Sequence, residues 1–218
     1  MFRQIFLTQW KWTRAPLLIA LLAAFAIPIL SMSRDVTYAM SSWDARDLLE
    51  RMRTIGIAYS ILAATLGLLL GTSAWAADHR GRHVYALSLP IARWRYALYR
   101  LASGAILLLL PALALWIGAL VASRISPIPV GLHAYPNALG LRFMLAALVA
   151  YALFFAVAAG TARTAAMVLG SIGMVLAAML LLNAADAARP LIEWSTQALF
   201  AWPGLFGVFT GRWMLVDV

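Results

Sequence analysis

The chain has 218 residues, of which 64% are hydrophobic and only 11% are charged. Soluble domains usually carry about 25% charged residues, so this composition excludes an ordinary soluble domain and indicates an integral membrane protein. The net charge is +9, yet the basic residues lie in connectors between apolar runs, which favours membrane topology and anionic lipid over nucleic acid as their role. The absence of Cys excludes disulfides, thiolate metal sites and thiol catalysis.

Residues 2–14 predict a short helix that lies in the membrane interface ahead of the first span. Phe2, Phe6 and Trp10 recur at helical spacing, whereas Lys11 and the other basic residues fall largely elsewhere around the helix. The alternative is a plain basic flank of the first span with interfacial Trp residues. The spacing favours the interfacial helix.

Five apolar segments without a charged residue have the length of transmembrane helices. About 20 residues of α-helix are needed to cross about 30 Å of hydrocarbon. The sequence therefore predicts one all-α integral membrane domain over residues 1–218. The five spans are predicted at about 15–32, 54–77, 101–122, 143–162 and 164–185.

The density of Lys and Arg is higher in 1–14 and 78–100 than in the outer segments, which places the N-terminus in the cytoplasm. The first outer loop contains SSWDARDLLERMR, whose acidic start and basic end predict a helix that leads into the second span. The second outer loop, RISPIPVGLHAYPN, has three Pro and a Gly and predicts an irregular connector. His133 within it is interpreted as a surface residue.

The segment after the fifth span, residues 186–218, is apolar but interrupted by Glu193, Pro203 and Arg212. We interpret it as interfacial or re-entrant outer helices anchored by Trp residues. A further span over 190–209 is the alternative, but it would bury Glu193 near one end.

The spans lack the ionisable side chains that ion-coupled transporters use at membrane depth, which disfavours a stand-alone secondary transporter. Unwound backbone that binds Na⁺ is the exception left open. No G-x-x-x-x-G-K-[ST] loop occurs, so the chain is predicted not to be an enzyme that hydrolyses ATP by that route. His79 and His83 have the spacing of two metal ligands on a helix, but only Asp78 stands beside them, which disfavours a metal site.

Two pairs of small residues have the spacing that lets transmembrane helices approach closely. Gly67 and Gly71 form a G-x-x-x-G pair in the second span, and Ala156 and Gly160 repeat the spacing in the fourth. Both pairs are candidate helix-packing sites.

The connector at 78–100 concentrates basic residues between two uncharged spans. Leu89 precedes Pro90 and is expected to be extended, while Pro90 suits the first turn of a new helix. The pattern therefore predicts a short helix over 78–87, a corner and a second helix that enters the third span. Apolar side chains among the arginines make the first helix suited to a groove on a cytoplasmic partner.

This connector resembles that of the ABC-2 type permeases, the membrane subunits of ATP-binding-cassette exporters. In that family an acidic residue follows the second span, a Gly comes a few residues later, an LSLPxxR run follows, and a basic residue opens the third span. The chain has Asp78, Gly81, LSLPIAR at 87–93, and Arg100. The layout of spans is also similar, although the family has six spans with both termini inside, so a sixth span is expected in addition to the five.

The resemblance implies a permease in the bacterial inner membrane that pairs with a second permease subunit, identical or different, and with a separate ATPase subunit that holds the ATP and Mg²⁺. The connector would be the coupling helix that docks on the ATPase. The residues implied in docking are the apolar Val84, Tyr85, Leu87 and Leu89 and the polar Asp78, Arg80, Arg82 and Arg93. The alternative is a membrane scaffold or assembly protein that recruits another cytoplasmic protein through the same loop. The substrate, and whether the process is export, stay open.

Overall fold

The structure, a computed structural model, describes residues 2–32, 45–80, 92–126, 128, 131–184, 207–209 and 213–217. Within these ranges the chain is almost entirely helical. The helices are α1 (Phe2–Met32), α2 (Ala45–Arg80), α3 (Arg93–Ile125), α4 (Pro136–Ala158) and α5 (Ala162–Ala184), followed by a 3-10 turn at Gly207–Phe209. Two short strands, β1 (His133–Ala134) and β2 (Val216–Asp217), complete the described elements.

Four of the described helices are long and apolar enough to cross a membrane. They are Phe2–Met32, Leu48–Arg80, Arg93–Ile125 and Pro136–Ala158. The first three contain the predicted spans at 15–32, 54–77 and 101–122, whereas the predicted span at 143–162 is four residues too long, because α4 ends at Ala158. The fifth predicted span, 164–185, falls in α5, whose fully described apolar stretch Arg163–Val175 is shorter than a span. An all-helical fold of membrane type was therefore predictable from composition and segment length.

The N-terminal segment differs from its prediction, because residues 2–14 do not form a separate interfacial helix. Helix α1 runs without interruption for 31 residues from Phe2 to Met32. No Gly or Pro precedes Pro16 in this helix, so no residue there breaks the backbone hydrogen bonding. The apolar positions that suggested an interfacial face instead belong to the first turns of the spanning helix.

Helix α2 likewise extends beyond its predicted span. It begins at Ala45, within the predicted outer helix, and continues through the second span to Arg80 over 36 residues. The outer helix and the span are thus one element. The guanidinium of Arg51 donates to the carbonyl of Leu30 at 3.3 Å, which places the start of α2 beside the end of α1.

Helices α1 and α3 pack side by side and run in the same direction. The rings of Phe2 and Tyr99 meet at 6.1 Å near their starts, and the hydroxyl of Ser126 donates to the carbonyl of Met32 at 3.1 Å near their ends. Helix α2 packs mainly against α4. Leu17, Ala24, Leu107, Leu115 and Phe143 are among the side chains fully buried between the helices.

The first pair of small residues lies at the contact between α2 and α4. A Cβ atom on Gly67 would lie 2.6 Å from the backbone nitrogen of Tyr151, and one on Gly71 would lie 2.8 Å from the backbone nitrogen of Phe155. Real Cβ atoms do not approach backbone so closely, so both positions require Gly for this helix spacing.

The second pair of small residues does not pack two helices. Ala156 is exposed, and Gly160 lies beyond the end of α4 in the turn before α5, where a Cβ atom would make only ordinary contacts. The spacing arises from the high Ala and Gly content of the spans and not from a helix contact.

The end of the bundle opposite the connector at 78–100, called the outer end below, is closed by residues 213–217. β1 pairs antiparallel with β2, with His133 opposite Asp217, and the amide of Tyr135 donates to the carbonyl of Leu215 at 2.8 Å. The described residues 213–217 are therefore an extended strap and not a re-entrant helix, and most of 186–212 lies outside the described residues. His133 lies in β1 and is exposed, as the sequence predicted.

Trp213 fastens this strap to the helices. The Trp213 ring stacks on the Tyr59 ring of α2 with 6.5 Å between the centroids. The guanidinium of Arg142, on α4, lies 4.6 Å from the Trp213 ring centroid. Gly56 allows the close approach, because a Cβ atom there would lie 2.6 Å from the Trp213 carbonyl oxygen. Trp213 thus bridges α2 and α4 at the outer end.

We predict that Gly67→Ala lowers the stability of the protein whereas Gly170→Ala does not. The added methyl group at residue 67 collides with the backbone of α4 and costs about 1–3 kcal/mol of overpacking, while a Cβ atom at residue 170 meets nothing within 4 Å. Thermal unfolding of both variants in one detergent measures the difference. Equal unfolding temperatures for the two variants would contradict the packing described for α2 and α4.

Candidate functional site

The connector that the sequence singles out is described at its two ends. Residues 78–80 form the last turn of α2, and residues 93–100 form the first two turns of α3. Arg82, Val84, Tyr85, Leu87 and Leu89 lie outside the described residues. The two helix ends that flank residues 81–91 are called the loop base below.

A buried ion pair joins the two sides of the loop base. The guanidinium of Arg100 lies 3.1 Å from the carboxylate of Asp78, and the Asp78 residue is only 1% exposed. The hydroxyl of Tyr96 lies 3.1 Å from both carboxylate oxygens of Asp78 and donates to them. The last turn of α2 is therefore tied to the first turns of α3 across the connector.

The guanidinium of Arg100 is surrounded by further acceptors and rings. It donates to the backbone carbonyl of Ala74 and to the Tyr96 hydroxyl, and its central carbon lies 4.8 Å from the Tyr96 ring centroid and 5.6 Å from that of Trp75. Removing two charges from water costs several kcal/mol per ion, and good geometry with added hydrogen bonds offsets that cost. The contacts of Arg100 supply these added interactions.

Helix α4 also contacts the first turns of α3. The hydroxyl of Tyr151 donates to the backbone carbonyls of Arg100 and Leu101, each at 3.1 Å. It lies directly against Gly104, whose missing side chain leaves room for the phenol. Tyr151 therefore fixes the first turns of α3 against α4, one layer deeper than the ion pair.

His79 connects the loop base to the end of α4. Its Nε2 atom lies 2.9 Å from the carbonyl oxygen of Ala158 and 3.1 Å from that of Gly160. Carbonyl oxygens only accept, so Nε2 carries the proton and donates. The last carbonyls of a helix have no partner within the helix, and His79 supplies one for α4.

Arg80 connects the loop base to α1. Its guanidinium lies 4.4 Å from the ring centroid of Trp12, a cation–π contact at the surface of the bundle. Three successive residues, Asp78, His79 and Arg80, thus contact three different helices. Successive side chains of an α-helix point about 100° apart because there are 3.6 residues per turn, which makes this distribution possible.

The structure changes the expected role of Asp78. The resemblance implies a polar contact with a partner, but the carboxylate is buried and already paired with Arg100. Arg80 and Arg93 are exposed, as a surface contact requires. The loop base therefore has a buried cluster of contacts at Asp78 and an exposed basic surface at Arg80 and Arg93.

The roles of Trp75, Tyr96, Tyr151 and His79 in the loop base were missed from sequence. Trp75 precedes Asp78 by three residues, and Tyr96 precedes Arg100 by four, so the two members of each pair share a face of their helix. This spacing of aromatic and charged residues at facing helix ends is the signal that was available. No sequence signal pointed to Tyr151, because its contacts with α3 depend on where α4 crosses α3.

The loop base shows no arrangement for holding a metal ion. Within the described ranges, no three His, Asp or Glu side chains are grouped closely enough to ligate one. His83 lies outside these ranges. The interactions of the loop base are ionic, hydrogen-bonded and aromatic, and they hold helices together.

No family model, curated protein or solved structure matches the chain significantly. The class of protein therefore follows from its own geometry. Its described residues are almost entirely helical, with four helices long and apolar enough to span a membrane and a buried charged cluster at one end of the bundle.

We predict that Arg100→Met destabilises the protein by about 3–5 kcal/mol, because it leaves the Asp78 carboxylate buried without its ionic partner. The double variant Asp78→Leu with Arg100→Met removes both charges and is expected to recover most of that loss. Unfolding in detergent of the two single variants and the double variant gives the coupling energy. Additive losses in the double variant would show that the two side chains do not interact.

Proposed function

We propose that the chain is the membrane-spanning permease subunit of an ATP-binding-cassette exporter of the bacterial inner membrane, with its N-terminus in the cytoplasm. The apolar helices supply one half of a translocation pathway, and a second permease subunit supplies the other. The proposal rests on the similarity of residues 78–100 to the ABC-2 permease connector and on the construction of the loop base.

The observation that carries the proposal is the fastening of Asp78, His79 and Arg80 to three different helices. A loop that receives force from a partner moves the spans only if its base is stiff. A flexible base would absorb the movement in a few backbone torsions, whereas buried ionic and hydrogen-bonded contacts resist it. The loop base, which flanks residues 81–91 in the chain, is held by contacts of this kind.

The energy for transport is assigned to a separate subunit. The sequence contains no phosphate-binding loop of the G-x-x-x-x-G-K-[ST] type. We therefore assign ATP and Mg²⁺ to a cytoplasmic ATPase, which would dock on the connector. Val84, Tyr85, Leu87 and Leu89 would supply the apolar part of that contact.

The start of α3, at residues 93–95, offers polar and aromatic side chains for the same partner. Arg93 is exposed, and the neighbouring Trp94 is 61% exposed with the Arg95 guanidinium 5.2 Å from its ring centroid. Exposed Arg and Trp side chains are typical of residues that dominate binding energy in interfaces. We extend the proposed docking surface to Trp94 and Arg95 and assign Asp78 to fastening the helices.

We expect the tagged chain to co-purify with an ATP-binding-cassette ATPase from its native membrane in mild detergent. Replacement of Leu87 and Leu89 by Asp should abolish that association, because charged side chains oppose burial in an apolar groove. Mass spectrometry of the eluted proteins is the measurement, and Leu87→Met with Leu89→Met is the matched control. Recovery of a different cytoplasmic protein in place of an ATPase would favour the scaffold alternative.

A second experiment separates docking from coupling. His79→Ala leaves residues 81–91 unchanged but removes the contact with the end of α4. One lost hydrogen bond is worth about 1 kcal/mol, so we expect permease-stimulated ATP hydrolysis to fall about fivefold while the ATPase stays bound. Unchanged stimulation would exclude His79 from the coupling path, and His133→Ala, an exposed site at the other end, serves as the control.

A further inference from the structure

The first half of α1 carries an exposed stripe that changes from cationic to apolar along the helix. Lys11 and Arg14 are exposed and lie one turn apart. Leu18 and Leu22 continue the same face at intervals of four residues and are 53% and 66% exposed. At 1.5 Å per residue, Leu22 lies about 12 Å beyond Arg14 along the axis.

Arg80 adds a third cation on a neighbouring flank of α1. Its guanidinium covers the ring of Trp12, which follows Lys11 directly in α1 and is 53% exposed. A guanidinium has five N–H donors, and stacking on a ring leaves them available at its edge. The contact with Trp12 therefore holds the Arg80 guanidinium against α1 without occupying its hydrogen-bonding groups.

These cations are not neutralised by carboxylates in the described part of the chain. Asp78 is buried against Arg100. The exposed Glu50 lies in the opposite half of α2, and Asp217 lies in the strap at the outer end. The exposed surface formed by Lys11 and Arg14 is consequently positive, and Trp12 with Arg80 lies about 100° around α1 from Lys11.

We propose that this surface binds the phosphate headgroup of an anionic phospholipid, with the acyl chains lying along Leu18 and Leu22. A soluble anion would be served by the cations alone. The apolar continuation of the same helix face fits a ligand that has a negative head and a long apolar tail. Trp12 belongs to the residue types that favour the boundary between headgroups and hydrocarbon. The site goes beyond the proposed transport function and requires no ATPase.

The test measures stabilisation of the full chain by lipid in mixed micelles. Thermal unfolding is followed while phosphatidylglycerol or phosphatidylcholine is added to dodecyl maltoside. Basic residues near an anionic surface contribute about 1 kcal/mol each, which corresponds to about a fivefold change in affinity per residue. We expect phosphatidylglycerol to stabilise the protein more than phosphatidylcholine. We expect Lys11→Gln with Arg14→Gln to raise the half-saturating fraction of phosphatidylglycerol about 25-fold.

Matched variants make the result specific to the site. Arg53→Gln with Arg124→Gln removes two exposed charges elsewhere on the protein and should leave the titration unchanged. Lys11→Arg with Arg14→Lys keeps both charges and should bind phosphatidylglycerol as the unaltered chain does.

Three results would overturn the proposal. Equal stabilisation by phosphatidylcholine would show that headgroup charge is not recognised. An equal loss of phosphatidylglycerol affinity in the Arg53→Gln, Arg124→Gln control would show that only the net charge of the protein matters. Full stabilisation by soluble glycerol 3-phosphate would make a free phosphate the ligand. Each result is independent of co-purification with an ATPase.

Discussion

The pairing of Asp78 with Arg100 is the interaction on which the arrangement of this end of the bundle depends. Both groups are buried, and neither is tolerated in apolar surroundings without the other. The pair therefore restricts how α2 and α3 approach each other, and Tyr96 fits only where it reaches the carboxylate. Because the pair lies at the base of the connector, it resists separation of the two helix ends that flank residues 81–91.

The two ends of the bundle are held together by different physical means. At the loop base, charges and hydrogen bonds join helix ends whose side chains carry many polar groups. At the outer end, the aromatic ring of Trp213 fills the space between Tyr59 and Arg142, and the strands β1 and β2 pair beside it. Between them, Gly67 brings the backbones of α2 and α4 together through van der Waals contact.

Arg80 connects the loop base, where we propose that a partner docks, with α1, where we propose that a phospholipid binds. Its backbone ends α2 beside Asp78 and His79, and its guanidinium lies on Trp12 of α1. A phospholipid bound along Lys11 and Arg14 would thus lie on the helix to which Arg80 fastens the loop base. The proposed lipid surface and the proposed docking surface therefore lie on helices that are joined at the loop base.

The sequence by itself determined the helical membrane-type fold, the positions of four spans and the close contact at Gly67 and Gly71, because composition and local spacing are sufficient for these. It also drew attention to Asp78 and Arg100 through their places at two span ends. Only the tertiary structure decided that these two residues pair, that residues 2–14 continue into α1, and that Trp213 returns to close the outer end. These features depend on contacts between residues distant in sequence, and helical periodicity carries information only about neighbours within one helix.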